Sequence, residues 1–379
     1  MTLWHPFSAQ AVGLSEESIP SIHSKPHINA MQLLHAEAWQ TSANYLSIRR
    51  RPYKVAVDGI KWRFWPTVGR EHQYRKEYSL WALWHVLTAV PDVTVINVSG
   101  HGCRLARHLA AVCRARGKSY IAMIGGVEFT LDQQQTEYFQ RAACIITHTH
   151  AQKEQVERLL RVSESRIVVM PLGVDPARFK PASVASPTDE LRLLFVGRWQ
   201  PVKGIQHALL ALRQVRDTYP NARLTLIGPQ SDPEYTTVIQ QQIADLGLGE
   251  LVHILGTLPY DELLRWYQQS HFLLLPSAPG KESFGMVMVE SLACGTPVVA
   301  LAAPTGGAAE IVSHEVNGLL VQPNQMADAI VSAFADAARY ADMRAAARRT
   351  AVEQYSLNST VKALRAALEL ALAHKKQER

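Results

Sequence analysis

The chain has 379 residues, 47% apolar and 19% charged, a balance that excludes a long disordered protein and, at roughly 100 to 200 residues per domain, implies two domains with separate cores. Its formal net charge of +6 is unevenly held: 22 basic against 14 acidic residues up to position 180, and 17 against 19 beyond it. Such asymmetry suits an anionic partner or a membrane surface, but no nucleic-acid motif accompanies it, so nucleic acid is not an expected partner.

The longest apolar runs, such as 272–275, are far short of a bilayer span, and the start Met-Thr-Leu-Trp-His-Pro lacks the blocks of a secretion signal. The cysteines at 103, 113, 144 and 294 form no Cys-x-x-Cys pair and read as reduced thiols. A cytoplasmic protein is expected, with peripheral contact at the inner membrane face as an option.

In chain order, strands are predicted at 53–57, 93–98, 120–124, 144–147 and 167–170, an α/β unit of irregular spacing. The stretch from Trp62-Arg-Phe-Trp65 through Arg70, Arg75, Lys76, Trp81 and Trp84 is basic and aromatic, as a membrane-resting surface would be. A helix after position 101 sets Leu105, Leu109 and Val112 against Arg104, Arg107 and Arg114. His101 and Glu128, each in a loop after a strand, are the acceptor-side candidates.

Residues 181–190, small, polar and proline-bearing, read as an interdomain linker. The expected domains are 1–185, with 355–379 packing back on it, and 186–354. In the second, strands at 191–196, 222–227, 252–255, 271–275 and 297–301 alternate with helices at 204–218, 233–246, 260–269 and 285–293. Continuous apolar strands separated by helices predict a parallel sheet covered on both faces. Two such Rossmann-like domains place ligands at the carboxyl ends of their strands, in a cleft.

Two segments of the second domain carry chemistry. The first strand runs into Gly197-Arg198-Trp-Gln-Pro-Val-Lys203-Gly204, where two cations and a helix start suit a diphosphate that gains charge as it leaves. The second is Glu282-Ser-Phe-Gly-Met-Val-Met-Val-Glu290. A carboxylate accepts bonds from vicinal hydroxyls, so Glu290 suits a ribose and Glu282 a second sugar, about 12 Å away if all eight steps were helical. Glu290 sits in an apolar helix and needs a partner there.

At these residues the chain resembles the retaining glycosyltransferases of family 4, the glycosyl transferases group 1, which have the GT-B fold. Three stretches carry the likeness: Gly-Arg198…Lys203-Gly; Glu282 to Glu290 followed by Ser-Leu-Ala-Cys-Gly-Thr-Pro-Val-Val; and Thr-Gly306-Gly-Ala-Ala-Glu310-Ile-Val…Asn317-Gly-Leu-Leu-Val. A looser echo lies in Met170-Pro-Leu-Gly-Val-Asp-Pro-Ala-Arg-Phe179.

The resemblance implies two Rossmann-like domains facing each other across a cleft, and transfer of a sugar from a nucleotide-diphosphate donor, UDP- or GDP-linked, to an acceptor hydroxyl with retention. Arg198 and Lys203 would hold the diphosphate, Glu290 the ribose, and Glu282 with Phe284, Gly285 and Met286 the donor sugar; Glu282, Arg198 and Lys203 would be catalytic. Neither metal nor cofactor is expected, because two cations serve the leaving group and no Asp-x-Asp triad occurs. The basic, aromatic first half suits a hydroxyl-bearing acceptor, with a lipid-linked or anionic form as an option.

The chain departs from the family pattern where members carry an early Gly-Gly loop, here His5-Pro-Phe-Ser-Ala-Gln-Ala-Val-Gly-Leu-Ser, and a histidine before a glycine, here Gly125. The alternative is a non-catalytic nucleotide-sugar-binding protein of the same shape.

Overall fold

The structure is a computed structural model that describes residues 1–12, 15–21, 25–37, 39–68, 76–89, 91–98, 102–126, 129, 132–183 and 190–377. The chain opens with β1 (Thr2–Ser8), α1 (Pro26–Ala36), β2 (Ser42–Ser47) and the hairpin β3 (Tyr53–Val57) and β4 (Ile60–Pro66). There follow α2 (Leu80–Thr88), β5 (Val93–Val98), α3 (Arg104–Ala115), β6 (Ser119–Ile124), α4 (Gln133–Gln140), β7 (Cys144–Thr147), α5 (His150–Leu160) and β8 (Ile167–Val169). These strands form one sheet in the order β3-β4-β2-β1-β5-β6-β7-β8, with only the β3–β4 pair antiparallel.

Next come β9 (Arg192–Val196), α6 (Ile205–Val215), β10 (Arg223–Ile227), α7 (Pro233–Asp245), β11 (Val252–Gly256), α8 (Tyr260–Gln269) and β12 (Phe272–Leu275). The run continues with α9 (Met286–Ala293), β13 (Val298–Leu301), α10 (Gly307–Ile311), β14 (Gly318–Val321), α11 (Met326–Ala335), α12 (Ala337–Glu353) and the last helix, α13 (Leu357–Gln377). The second sheet is fully parallel, in the order β11-β10-β9-β12-β13-β14.

The chain divides into two compact units, Met1–Pro171 with Leu357–Arg379, and Leu172–Ser356. The first crossing thus precedes the expected 185/186 boundary, and the return falls at 356/357 rather than 354/355. Residues 172–183 are held to the second unit because Arg348 on α12 donates to the carbonyls of Phe179 and Pro176 at 2.5 and 2.9 Å. Phe179 itself is buried beside Tyr260 and Tyr267. The polar stretch at 181–190 follows the crossing, and its residues 184–189 lie outside the described ones.

Both cores follow from the strand pattern. In the second unit Leu193, Phe195, Leu224, Leu226, Phe272 and Leu274 pack beneath Leu209 and Leu212 of α6 and Ile330 of α11, a parallel sheet buried on both faces. In the first, Ile96, Ala122 and Ile145 pack under Leu105 and Leu109 of α3. α13 belongs to this unit and packs on α1, β6 and β7. Among the described residues no helix is long and apolar enough to cross a membrane.

The aromatic stretch splits. Trp62 and Trp65 lie on β4 and are buried, so they cannot meet a membrane, whereas Trp81 and Trp84 on α2 are 51% and 61% exposed. Arg70 and Arg75 lie outside the described residues. All four cysteines are free and buried.

Candidate functional site

The second sheet begins in its middle. β9 is flanked by β10, the next strand, on one side and by β12 on the other, so the chain's direction of travel reverses between β9 and β12. The carboxyl ends of two such strands mark the place where open α/β sheets bind ligands, and the loops that leave them border it. They are the segments 197–204 and 276–285.

Close backbone approaches draw these loops together. Gly204, left-handed at φ +67°, caps α6, and a Cβ there would run into the Pro276 carbonyl. The Ala278 N–H donates to the Val202 carbonyl at 2.8 Å. On the other side the Gly307 N–H donates to the Glu282 carbonyl at 2.9 Å, and a Cβ at Gly307 would collide with the Phe284 carbonyl. The loop bearing Glu282 is therefore clamped from both flanks.

The clamp brings Lys203 Nζ within 2.6 Å of Glu282 Oε2, both side chains half-buried. Ser277 Oγ donates to the same carboxylate oxygen at 3.1 Å. Arg198 is exposed and has no ion-pair partner among the described residues. Gly285, at φ +87°, turns the loop into α9, and Met286 is the helix's first residue. The N–H groups of Phe284, Gly285 and Met286 meet no acceptor among the described residues, as expected ahead of a helix start. The Phe284 ring is buried against Tyr355, centroids 5.9 Å apart. Lys203, the open amides and a positive helix end meet around one carboxylate, with Arg198 on the same loop as Lys203; cations and free amides favour an anion.

Glu290 lies deeper, on α9, 2% exposed. Its partners are two tyrosines of α8: Tyr267 Oη donates to Oε2 at 2.7 Å and Tyr260 Oη to Oε1 at 2.8 Å. Burial pushes the Glu290 carboxyl up from the ordinary range, and the bonds from Tyr267 and Tyr260 work against that rise. A carboxylate has about four acceptor sites, so these two bonds leave capacity for a ligand. Neither tyrosine stands out in the sequence, although their i, i+7 spacing puts them on one face of α8. Because α9 starts only at Met286, helical rise to Glu290 is about 6 Å, not the ~12 Å of eight helical steps.

In the first unit the corresponding turning point lies between β1 and β5. His101 and Glu128 both lie outside the described residues. A buried cluster is described there instead. The His5 ring on β1 stacks on Tyr45 of β2 at 4.2 Å, its Nδ1 pairs with Asn97 Nδ2 at 3.3 Å, and His27 lies 5.3 Å away. Lys25 Nζ donates to Tyr45 Oη at 2.9 Å, and His148 Nδ1 meets the Met170 carbonyl at 3.0 Å. Burial depresses His5 well below its usual range and His27 to about 3, with Lys25 adding to both; burial also lowers His148. No local pattern gathers positions 5, 27 and 148. Gly125, after β6, donates its N–H to the Val98 carbonyl at 3.2 Å.

Residues 176–350, all within the second unit, match the family model described as Glycosyl transferases group 1. A D-inositol 3-phosphate glycosyltransferase of Acidothermus cellulolyticus is 36% identical over 190 residues, 47% of this chain and 42% of that protein. An uncharacterized glycosyltransferase of Methanocaldococcus jannaschii is 31% identical over 190 residues, 47% of each chain. The chain spans about half the length of the curated relatives it matches. Among solved structures, HepE from Anabaena in complex with UDP is similar over 97% of this chain and 99% of its own, with a TM-score of 0.74 at 18% identity. Sucrose-phosphate synthase from Thermosynechococcus elongatus is similar over 99% and 98%, with a TM-score of 0.72 at 19% identity. The fold is thus the GT-B fold of two α/β domains, and its second unit carries the group 1 glycosyl transferase sequence pattern.

Proposed function

We propose that the chain is a retaining glycosyltransferase of the hexosyltransferase kind, moving a sugar from a nucleoside-diphosphate donor to an acceptor hydroxyl. The observation that carries this reading is the Lys203–Glu282 pair, 2.6 Å apart, with the exposed Arg198 on the same loop as Lys203 and the open amides before α9 following Glu282. When a donor enters, its diphosphate competes for Lys203, and Glu282 is released to accept bonds from the sugar's hydroxyls. Arg198 and Lys203 neutralise the charge that grows on the leaving phosphate. Glu290, steadied by Tyr260 and Tyr267, takes the ribose.

In the front-face route we favour, the bond from the anomeric carbon to the β-phosphate oxygen breaks. The acceptor oxygen bonds to the same face, and its proton passes to the departing phosphate. No metal ion or further cofactor takes part in this scheme. The UDP and UDP-glucose complexes of HepE favour a uridine over a guanosine donor. An anionic or lipid-linked acceptor fits the basic first half and relatives named for an inositol phosphate. The exposed Leu80, Trp81, Trp84 and Leu87 on α2 suit a cytoplasmic protein resting on a membrane face.

The test is turnover of UDP- and GDP-linked sugars by the purified chain, with and without acceptors, and NMR assignment of the product anomer. Release of nucleoside diphosphate and a product of unchanged anomeric configuration are expected. An inverted product overturns retention. Nucleotide binding without turnover of any donor favours the non-catalytic alternative, and absence of binding overturns the donor site.

A further inference from the structure

Part of the first unit's basic excess collects at the end of the sheet where β6 begins, opposite the strands' carboxyl termini. A cavity of about 480 Å³ opens there, walled by Arg114, Arg116, Lys118, Arg141, Arg166 and Tyr120. No carboxylate is among its described lining residues; Glu137 lines an adjoining depression that shares Arg114 and Arg141.

Local structure accounts for two of the five cations. Lys118 pairs with Asp92 at 2.8 Å. Arg166 donates to the carbonyls of Gln140, at 2.7 Å, and Ala142, at and just beyond the end of α4, while its buried Nε finds no partner among the described residues. The carboxyl ends of α3 and α4 add about half a negative charge each. Arg114, Arg116 and Arg141 remain, all exposed and without an ion pair among the described residues. Three unneutralised guanidinium groups around one cavity repel one another, a cost that a multiply charged anion removes. Planar guanidinium forks match phosphate oxygens in paired hydrogen bonds, and the cavity lies within the usual volume range of small-molecule sites.

We propose that this cavity binds a multiply charged phosphate anion, separately from the donor site and independently of the proposed transfer. The same chemistry is offered by a soluble polyphosphate and by the phosphomonoester headgroup of a lipid, and the test separates the two. Inorganic triphosphate is titrated calorimetrically into the full chain carrying Arg198→Ala and Lys203→Ala, which silences the donor site. Saturable 1:1 binding is expected, weakened about tenfold by Arg114→Gln and about a hundredfold by adding Arg141→Gln, and fading as sodium chloride is raised.

In a second arm, flotation with phosphatidylcholine vesicles is compared with and without phosphatidic acid. Triphosphate binding without vesicle binding assigns the site to a soluble anion. Phosphatidic acid binding lost in the double variant, without triphosphate binding, assigns it to a headgroup. No binding in either arm, or binding that the substitutions leave unchanged, overturns the proposal. Circular dichroism checks the fold, and the single Arg116→Gln replaces any variant that loses its native spectrum.

Discussion

The two units turn at the same topological place, yet the two ends are built for opposite ends of the polarity scale. In the second unit glycine contacts clamp two loops so that a half-buried ion pair, an exposed arginine and open amides surround the turn. In the first, the His5 imidazole is sealed among aromatic rings, and His5 and His27 each leave a buried Nε2 without a partner among the described residues. Screened charges adjoining solvent can change partners at small cost, whereas a buried imidazole resists taking up charge at all. The second unit's turn is thus suited to exchanging an internal carboxylate for a ligand's phosphates. The first unit's imidazoles are held neutral beside the Lys25 ammonium.

The largest expected effect is at Lys203. Lys203→Met keeps the alkyl stem and removes the charge, so turnover should fall by about 10² to 10³ if the cation serves the leaving group, as the loss of one transition-state contact does elsewhere. Stability should move by no more than about 1 kcal/mol, the range of partly exposed ion pairs. Steady-state kinetics and thermal unfolding distinguish the cases. A lowered melting temperature with intact turnover would make the pair a structural one and erase the contrast between the two ends.

Next in size is the response to acid, where the ends should differ in sign. An unfolded histidine takes a proton near 6.5, but His5, His27 and His148 resist it when folded, His27 to about 3. The unfolded state then binds more protons, so the first unit loses stability as pH falls below about 6.5, by up to about 1.4 kcal/mol per imidazole per pH unit. Lys25, lowered to about 8, acts in the same direction in the alkaline range. Glu290 is raised by burial, so its folded form binds the proton more readily than the unfolded chain. Acidification towards that raised value therefore favours the second unit. Hydrogen exchange of peptides from β1 and α9 at pH 7 and pH 5, corrected for intrinsic rates, reads both signs. Parallel behaviour of the two peptides would refute the comparison.

The second unit was legible because its local patterns and its fold agree. Runs such as Leu193–Val196 and Phe272–Leu275 are apolar throughout, as a strand covered on both faces requires, and α8 was expected at the residues it occupies. Strands β1 and β2 were missed because buried polar groups interrupt them, and β4 because its alternating aromatic and basic residues resemble a membrane-resting surface. Asn44 in β2 is fully buried, donating to the Leu3 carbonyl at 3.2 Å and accepting from Trp65 Nε1 at 3.0 Å. β1 contains Pro6 where its register against β2 shifts, between His5 and Ser8. Partners that lie 21 to 41 residues away leave no periodicity to read. The same reason hid Tyr260 and Tyr267, whose value appears only once α8 lies against α9.

Those tyrosines supply a third, smaller effect. Tyr267→Phe removes a 2.7 Å bond to a carboxylate only 2% exposed, at an expected cost of about 1.5 to 3 kcal/mol in the unfolding of the second unit. The matching change Tyr260→Phe should cost less, because α8 holds that ring nearer its exposed start. Urea unfolding followed by circular dichroism measures both. Equal and negligible costs would mean that Glu290 has other support than α8.

The smallest expected effect probes how tightly Glu282 must be held. Ser277 Oγ donates to the oxygen that also faces Lys203, at 3.1 Å, so Ser277→Ala takes away one neutral donor while leaving the ion pair and both glycine clamps in place. A single such bond contributes about 0.5 to 1.5 kcal/mol, a few-fold in an equilibrium. If Glu282 is released from Lys203 when donor phosphates arrive, losing Ser277 frees a carboxylate that must still find the sugar. The change should then appear in kcat with little movement in the KM for the donor. An effect confined to KM would show that Ser277 orders the empty loop, and the clamped turn of the second unit would then be a rigid frame instead of an exchange of partners.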